Sequence, residues 1–345
     1  LIVPRWSAYR LLALLAVILT LVVIAVGAYV RLSNAGISCP GWPACYGHLV
    51  VPTSPAAVAR IDRTHPLRPL RPAKAEKEMA HRYLAGTLGL IILALALLSL
   101  RRARREAGRP IVLPWLAAAL VVFQALLGMW TVTLLLDPAV VTAHLFGAMA
   151  ILVVLALLVA REGDALGWRD EVKGPWPRRV AVLVLLVLIG QMFLGAWTST
   201  HYAWVACRGF PACRGSLWPS GLDFREVWHF WPRIGPDYQG GTWPWGVRAA
   251  VYLLHRYGGV FTLVVMLAFV AALFRVSRSR GLRRLALAVA GLTLLQVAIG
   301  ISMAVYGVGL DIADAHTVVA ALLLMTTSLL VYALWTPAAR GRRLS

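Results

Sequence analysis

Residues 79–98 read MAHRYLAGTLGLIILALALL, and residues 253–272 read LLHRYGGVFTLVVMLAFVAA. Each is an apolar run of membrane length opened by a His-Arg-Tyr triplet. A second pair, VVTAHLFGAMAILVVLALL from Val140 and IADAHTVVAALLLMTTSLL from Ile312, carries one histidine near its start. The triplet histidines lie 174 positions apart (81 and 255) and the others 172 apart (144 and 316). The chain therefore reads as a duplication in which His81, His144, His255 and His316 head four hydrophobic helices. An ionisable side chain inside a membrane span is costly and marks function by default.

Composition agrees. The 345 residues are 60% hydrophobic, and the mean hydropathy is +0.75, outside the range of soluble domains. Runs of roughly 20 apolar residues suit helices crossing a hydrocarbon core of about 30 Å rather than barrel strands. Eight spans are predicted, at about 11–31, 79–100, 113–134, 139–160, 179–199, 248–274, 283–306 and 312–335. The fold class is all-α integral membrane, as two pseudo-symmetric four-helix bundles: residues 1–160, a linker at 161–178, and residues 179–345. The first run follows Arg5 and Arg10, yet its apolar core is too long for a signal peptide and it matches part of the repeat. It is read as retained.

The net charge of +20 does not point to nucleic acid, because the arginines flank the spans. Arg101, Arg102, Arg104, Arg105 and Arg109 follow the second span, Arg275, Arg278, Arg280, Arg283 and Arg284 join the sixth to the seventh, and Arg340, Arg342 and Arg343 lie near residue 345. The positive-inside rule makes these segments and both termini cytoplasmic, in a cell membrane. The loop with Arg60, Arg63, Arg68, Arg71, Lys74 and Lys77 runs against the rule, but long loops obey it less.

All four cysteines fall in two copies of Cys-x-Gly-aromatic-Pro-Ala-Cys, at 39–45 (CPGWPAC) and 207–213 (CRGFPAC). On an oxidising outer face these are read as local disulfides, Cys39–Cys45 and Cys207–Cys213, with metal or thiol redox chemistry as the alternative. Residues 50–78 read as Pro- and Arg-rich loop. The long outer loop 200–247 carries Trp204, Trp218, Trp228, Trp231, Trp243 and Trp245, read as interfacial anchors. His48, His65, His201 and His229 have no match in the other half and read as surface residues.

A Gln-x-x-x-Gly spacing recurs as Gln124/Gly128, Gln191/Gly195 and Gln296/Gly300, and Gly27 is 168 positions before Gly195. The glycines read as ordinary helix packing through small residues. For the glutamines, packing and a site role stay open. Glu78 stands three residues before His81, on the same helix face, while the equivalent position in the second half is Tyr252.

Two imidazoles per half at one depth are what six-coordinate haem iron needs. The residue one turn on is small each time, Ala85, Ala148, Gly259 and Ala320, which keeps a helix face clear for a flat macrocycle. Arg82 and Arg256 are candidate partners for haem propionates, against the plainer reading of snorkelling interfacial arginines. Copper and zinc fit less well, since no further Cys, Met or carboxylate recurs in both halves. Asp137, Asp311 and Asp314 read as interfacial or capping residues.

The ordered set GAYVRLSNAGISCPGWPAC, Glu-x-x-His-Arg, QxxLGxxTV, the His144 helix, HRYGG and Asp-Ala-His resembles the haem A synthase family over nearly the whole chain. The resemblance implies oxidation of a methyl group of haem O to the formyl group of haem A, for terminal oxidases. It also implies substrate haem in the N-terminal half and a permanent haem b in the C-terminal half. Carried over, His255 and His316 ligate haem b, His81 and His144 face the substrate, and Glu78 is catalytic. Partners expected on this basis are haem O, the bilayer, a haem O synthase, an unidentified electron acceptor and a second copy in a homo-oligomer. Rival readings are a quinol-linked dihaem electron-transfer cytochrome, a haem transporter and a structural scaffold. The one-sided Glu78 favours an enzyme.

Overall fold

The computed structural model describes residues 7–105, 111–162, 175–231 and 237–336. Nine α-helices are present among them: α1 (Ala8–Leu32), α2 (Pro55–Thr64), α3 (Pro72–Arg105), α4 (Val112–Thr133), α5 (Pro138–Glu162), α6 (Trp176–Thr200), α7 (Trp245–Val276), α8 (Arg280–Tyr306) and α9 (Leu310–Trp335). All except α2 are long and apolar enough to cross a membrane, at 22 to 34 residues. At about 1.5 Å per residue even the shortest spans the ~30 Å hydrocarbon layer. The linker residues 163–174, Arg5, Arg109 and Arg340 to Arg343 lie outside the described residues.

In the first half, α1 packs on α3 and α5, and α4 packs on the same two helices. In the second half, α6 and α8 each pack on α7 and α9. The halves meet through α5–α9, α5–α6 and α1–α9. Exchanging the halves turns the α5–α6 contact into α9–α1 and returns α5–α9 to itself, which is the signature of a pseudo-two-fold axis. The apolar centre of both halves is continuous, running from Ile24 and Leu152 to Met266 and Leu330.

Local sequence sets the helix ends. Ser7 and Ser279 accept the backbone N–H groups of Arg10 and Leu282, and Asp137 accepts those of Ala139 and Val140 at the head of α5. Each cap satisfies donors that the first turn leaves without partners. Asp137 is thus a capping residue, as expected.

Both cysteine pairs form disulfides, and each disulfide loop is followed at its second cysteine by a turn with a short antiparallel bridge at its tip, Cys45 with His48 and Cys213 with Ser216. The two central residues of each tip have positive φ, Tyr46 and Gly47 in one, Arg214 and Gly215 in the other. That backbone pattern makes a tight hairpin turn and favours glycine at its second position.

Two expectations change in the segments that connect the spans. Residues 50–78 are not a loop: α2 is capped by Ser54, buries Ile61 against Cys39, Cys45, Leu70 and Met79, and α3 already starts at Pro72. Positional chemistry outweighed weak periodicity here, since Ser54-Pro55 is a helix start and Asp62 fixes the exit by accepting the Leu70 N–H at 2.8 Å. Secondly, His201 is not on the surface and Trp243 is not an anchor. His201 is 1% exposed, stacked face to face on Trp243 at 3.4 Å and edge-on to Trp197 at 4.5 Å. Trp218, Trp228 and Trp231 are exposed.

Candidate active site

Each of the four histidines points its ring at a glycine of the neighbouring helix. A Cβ placed on Gly27 of α1 would lie 2.7 Å from His81 Cε1, and one on Gly195 of α6 would lie 2.9 Å from His255 Cε1. On Gly128 of α4 and Gly300 of α8 it would lie 3.2 Å from His144 Cε1 and 3.3 Å from His316 Cε1. These glycines are therefore seats for imidazole rings rather than ordinary helix packing, which corrects the reading from sequence. They are also the site residues that sequence reasoning missed. The signal was available: Gly128 and Gly300 recur 172 apart, as His144 and His316 do, and Gly27 and Gly195 recur 168 apart, as the cysteine pairs do.

Two of the three glutamines serve the same rings. Gln124 donates to the His144 carbonyl at 2.6 Å. Gln191 donates to the His255 carbonyl at 2.9 Å and lies 3.0 Å from His255 Nδ1. Their Oε1 atoms press on Gly147 and Gly258, three residues after each histidine, where any side chain would collide. The Oε1 atoms of all three glutamines, Gln296 included, are buried without a hydrogen-bond partner.

The rings are only partly buried, but the Nδ1 atoms of His81, His144 and His316 are sealed from solvent. Their Nε2 atoms are not among the sealed, unpartnered nitrogens, which leaves Nε2 as the ring nitrogen available to a ligand. The His255 and His316 ring centres are 6.5 Å apart and nearly perpendicular, at 85°. At that separation two imidazole nitrogens can reach one metal ion between them at ~2 Å each. Among the described residues no third His, Cys, Asp or Glu joins either pair. Two imidazoles, no third protein ligand and partly exposed small residues one turn on (Ala85, Ala148, Gly259, Ala320) fit a flat metal macrocycle with axial imidazoles.

The halves differ beside the first histidine. Glu78 is 4% exposed; its Oε1 takes Arg82 Nη2 at 2.5 Å, and its Oε2 accepts the Cys39 N–H at 2.9 Å. Sequence alone left the carboxylate by itself in an apolar setting, whereas the fold gives it a guanidinium partner. Arg82 is at the same time a clamp on the disulfide loop, donating to the carbonyls of Cys39, Gly41, Pro43 and Ala44. In the second half Tyr252 replaces Glu78, and the Arg256 guanidinium lies 4.2 Å from the Tyr252 ring centre. Arg256 reaches the Ala212 and Cys207 carbonyls only at 3.4 Å, and its Nε is buried without a partner. So the first site carries a fixed carboxylate tied to its cysteine loop, and the second carries none.

Known proteins match this sequence. The family model for cytochrome oxidase assembly protein matches residues 10–328. A haem A synthase from Shewanella oneidensis is 37% identical over 321 residues, covering 93% of this chain and 95% of that protein. Haem A synthases from Halalkalibacterium halodurans and Caulobacter vibrioides are 27% and 28% identical, covering 90% and 87% of this chain and 91% and 88% of theirs. With this coverage and identity, the chain belongs to the cytochrome oxidase assembly protein family, with haem A synthases among its relatives.

Proposed function

We infer that the protein is a haem A synthase, a multi-pass membrane oxidoreductase that oxidises a methyl group of haem O to the formyl group of haem A. The observation that carries this reading is the asymmetry on a duplicated frame: a Glu78–Arg82 ion pair beside His81, against Tyr252–Arg256 beside His255. An electron-transfer cytochrome needs two imidazole pairs and has no use for a buried carboxylate at only one of them.

In this reading His81 and His144 hold the substrate haem, and His255 and His316 hold a resident haem b. Bound iron porphyrin supplies the redox chemistry. The chain's own residues do the rest. Gly27 and Gly128 let the imidazoles approach their helices, which fixes where the ligating nitrogens stand. Glu78 is the proton acceptor for the methyl oxidation, and Arg82 with the Cys39 N–H fixes both carboxylate oxygens so that only a small movement is needed to use it. Arg256, with an unpartnered Nε and weak loop bonds, is assigned to a propionate of haem b. Arg82 is assigned to the cysteine loop, and meets a propionate only by giving up loop carbonyls.

The same reading puts the protein in the plasma membrane, with both termini and the 161–178 linker cytoplasmic and the cysteine loops outside. In support, Arg102 at the far end of α3 pairs with Glu162 at the end of α5 at 2.9 Å, at the opposite helix ends from the disulfides. A haem O synthase upstream, a separate electron acceptor and self-association complete the proposal. The deciding experiment supplies haem O to cells making the protein, then extracts the pigments for mass analysis. Formyl haem is expected; unaltered haem with a two-haem spectrum would make it a dihaem cytochrome.

A further inference from the structure

One guanidinium near the outer helix ends has only neutral partners. Arg31, in the last turn of α1, donates to the Ser199 hydroxyl at 2.7 Å and the Ser199 carbonyl at 2.5 Å, and lies 5.4 Å from the Tyr202 ring centre. Among the described residues no Asp or Glu pairs with it. Arg31 is partly buried, and a guanidinium withdrawn in part from water without a counter-charge is well placed to receive an anion.

Its position says which anion. Arg31 is one turn beyond Gly27, the seat of the His81 ring, and residues four apart share a helix face. Ser199 stands in the same relation to Gly195, the seat of His255. Arg31 and Ser199 are themselves equivalent positions, 168 apart, so their contact bridges the two halves one turn outward of the two imidazole sites. Tyr202 and Asn34, also 168 apart, bond beside it at 3.2 Å.

The other charged and titratable groups here leave the role to Arg31. Lys74 and Lys77 of α3 add positive charge, Lys74 on the Asn34 carbonyl at 3.0 Å and Lys77 lying 4.8 Å from the Tyr29 ring centre. Glu78 is taken by Arg82, and Arg82 is spent on Glu78 and four carbonyls. His201 is no competing cation, since burial, and then the Arg31 charge, push its imidazole down to about 3.

We propose that Arg31 receives a propionate carboxylate of the porphyrin held by His81 and His144, with Ser199 keeping the guanidinium at the seam. The proposal rests on the haem reading above and assigns this carboxylate to a group outside the two His-Arg-Tyr triplets. Arg31 is fitted to it by its planar two-pronged donor set.

The test titrates iron protoporphyrin IX, as the free diacid and as the dimethyl ester, into the purified full chain carrying its resident haem b, and reads binding from the Soret difference spectrum. In Arg31→Met, which swaps a partly buried charge for an apolar chain of similar length, the diacid should bind about 10- to 100-fold more weakly and the ester unchanged. A diacid-to-ester ratio equal to the wild type would overturn the proposal. If Arg31→Met does not accumulate, Arg31→Lys decides: a ratio reduced several-fold supports the two-pronged contact, and a wild-type ratio overturns it. His81→Ala separates the two ideas. Loss of both porphyrins there, beside an unaltered ratio in the Arg31 variants, keeps the haem site and removes Arg31. Unchanged binding in His81→Ala instead removes the site itself.

Discussion

Adding a single methyl group at Gly195 should loosen the proposed haem b without replacing either of its proposed ligands. In Gly195→Ala the new Cβ would stand 2.9 Å from His255 Cε1, 3.5 Å from Nδ1 and 3.6 Å from Nε2. Relaxed carbon–carbon contacts lie at about 3.5–4.0 Å, so the ring edge must retreat by at least ~0.6 Å. A free imidazole would swing aside cheaply. This one is pinned, because Gln191 lies against Nδ1 at 3.0 Å and bonds the His255 carbonyl at 2.9 Å. Metal–nitrogen distances tolerate only about ±0.2 Å, so the retreat cannot be absorbed at the ligand bond. Overpacking of this kind costs about 1–3 kcal/mol, which is roughly 5- to 150-fold in haem affinity. The assay is haem b content and Soret position of the purified variant, followed by back-titration with haem. Gly190→Ala on the same helix is the control, since a Cβ there meets nothing within 4 Å. The four seats should rank by clearance, Gly27 and Gly195 severe, Gly128 and Gly300 mild, at 2.7, 2.9, 3.2 and 3.3 Å. Full haem content and an unshifted spectrum in Gly195→Ala would refute the claim that these glycines seat the ligands.

Three further outcomes are expected. Glu78→Gln should fold, keep the C-terminal haem b and lower formyl-haem output by about 10²–10⁴-fold; output within tenfold of wild type removes Glu78 from the proton chemistry. The double variant Cys39→Ser/Cys45→Ser should lose about 2 kcal/mol of loop restraint, keep haem b, and show reduced turnover because the loop supplies the Cys39 N–H to Glu78; wild-type turnover would mean that the loop does not position the carboxylate. His201→Phe should leave the thermal midpoint unchanged or higher, because it removes two buried unpartnered nitrogens while keeping the stack on Trp243; a fall of more than about 5 °C would show that the imidazole makes a polar contact the fold depends on.

The duplicated site explains why so much function was legible in one chain. His81 and His255, or His144 and His316, are readable as pairs because an ionisable group in an apolar span is rare enough for two to be informative. Glu78 stood out for the same reason, as a carboxylate beside the triplet histidine in one copy where the other has Tyr252. Arg82 was harder. Its spacing to His81 made it a candidate for a ligand carboxylate, but its donors go to Glu78 and to four carbonyls of a loop some forty residues earlier.

Glycine, glutamine and the outer histidines mark where sequence reasoning stopped. A glycine on a membrane helix is common, and only the neighbouring helix shows whether a backbone or an imidazole fills the space it leaves. Gln124, Gln191 and Gln296 share one spacing and each leaves its Oε1 buried without a partner, yet among the described residues only Gln124 and Gln191 donate to a histidine carbonyl. His201 has no counterpart in the other half, so repetition could not flag it. Its burial comes from Trp243, which is brought back over it by a long outer loop.

The amino-acid order by itself determined the eight spans, the two-copy plan, the four histidines and the lone acid, because membrane burial writes long apolar runs and makes each polar exception conspicuous. Only the packed helices decided which glycine lies under which ring, that Glu78 is an ion-paired carboxylate bound to a cysteine loop, and that Arg31 and Ser199 meet across the pseudo-two-fold. Those relations join residues up to 168 positions apart through side-chain directions and interhelical distances, quantities that periodicity along one chain does not carry.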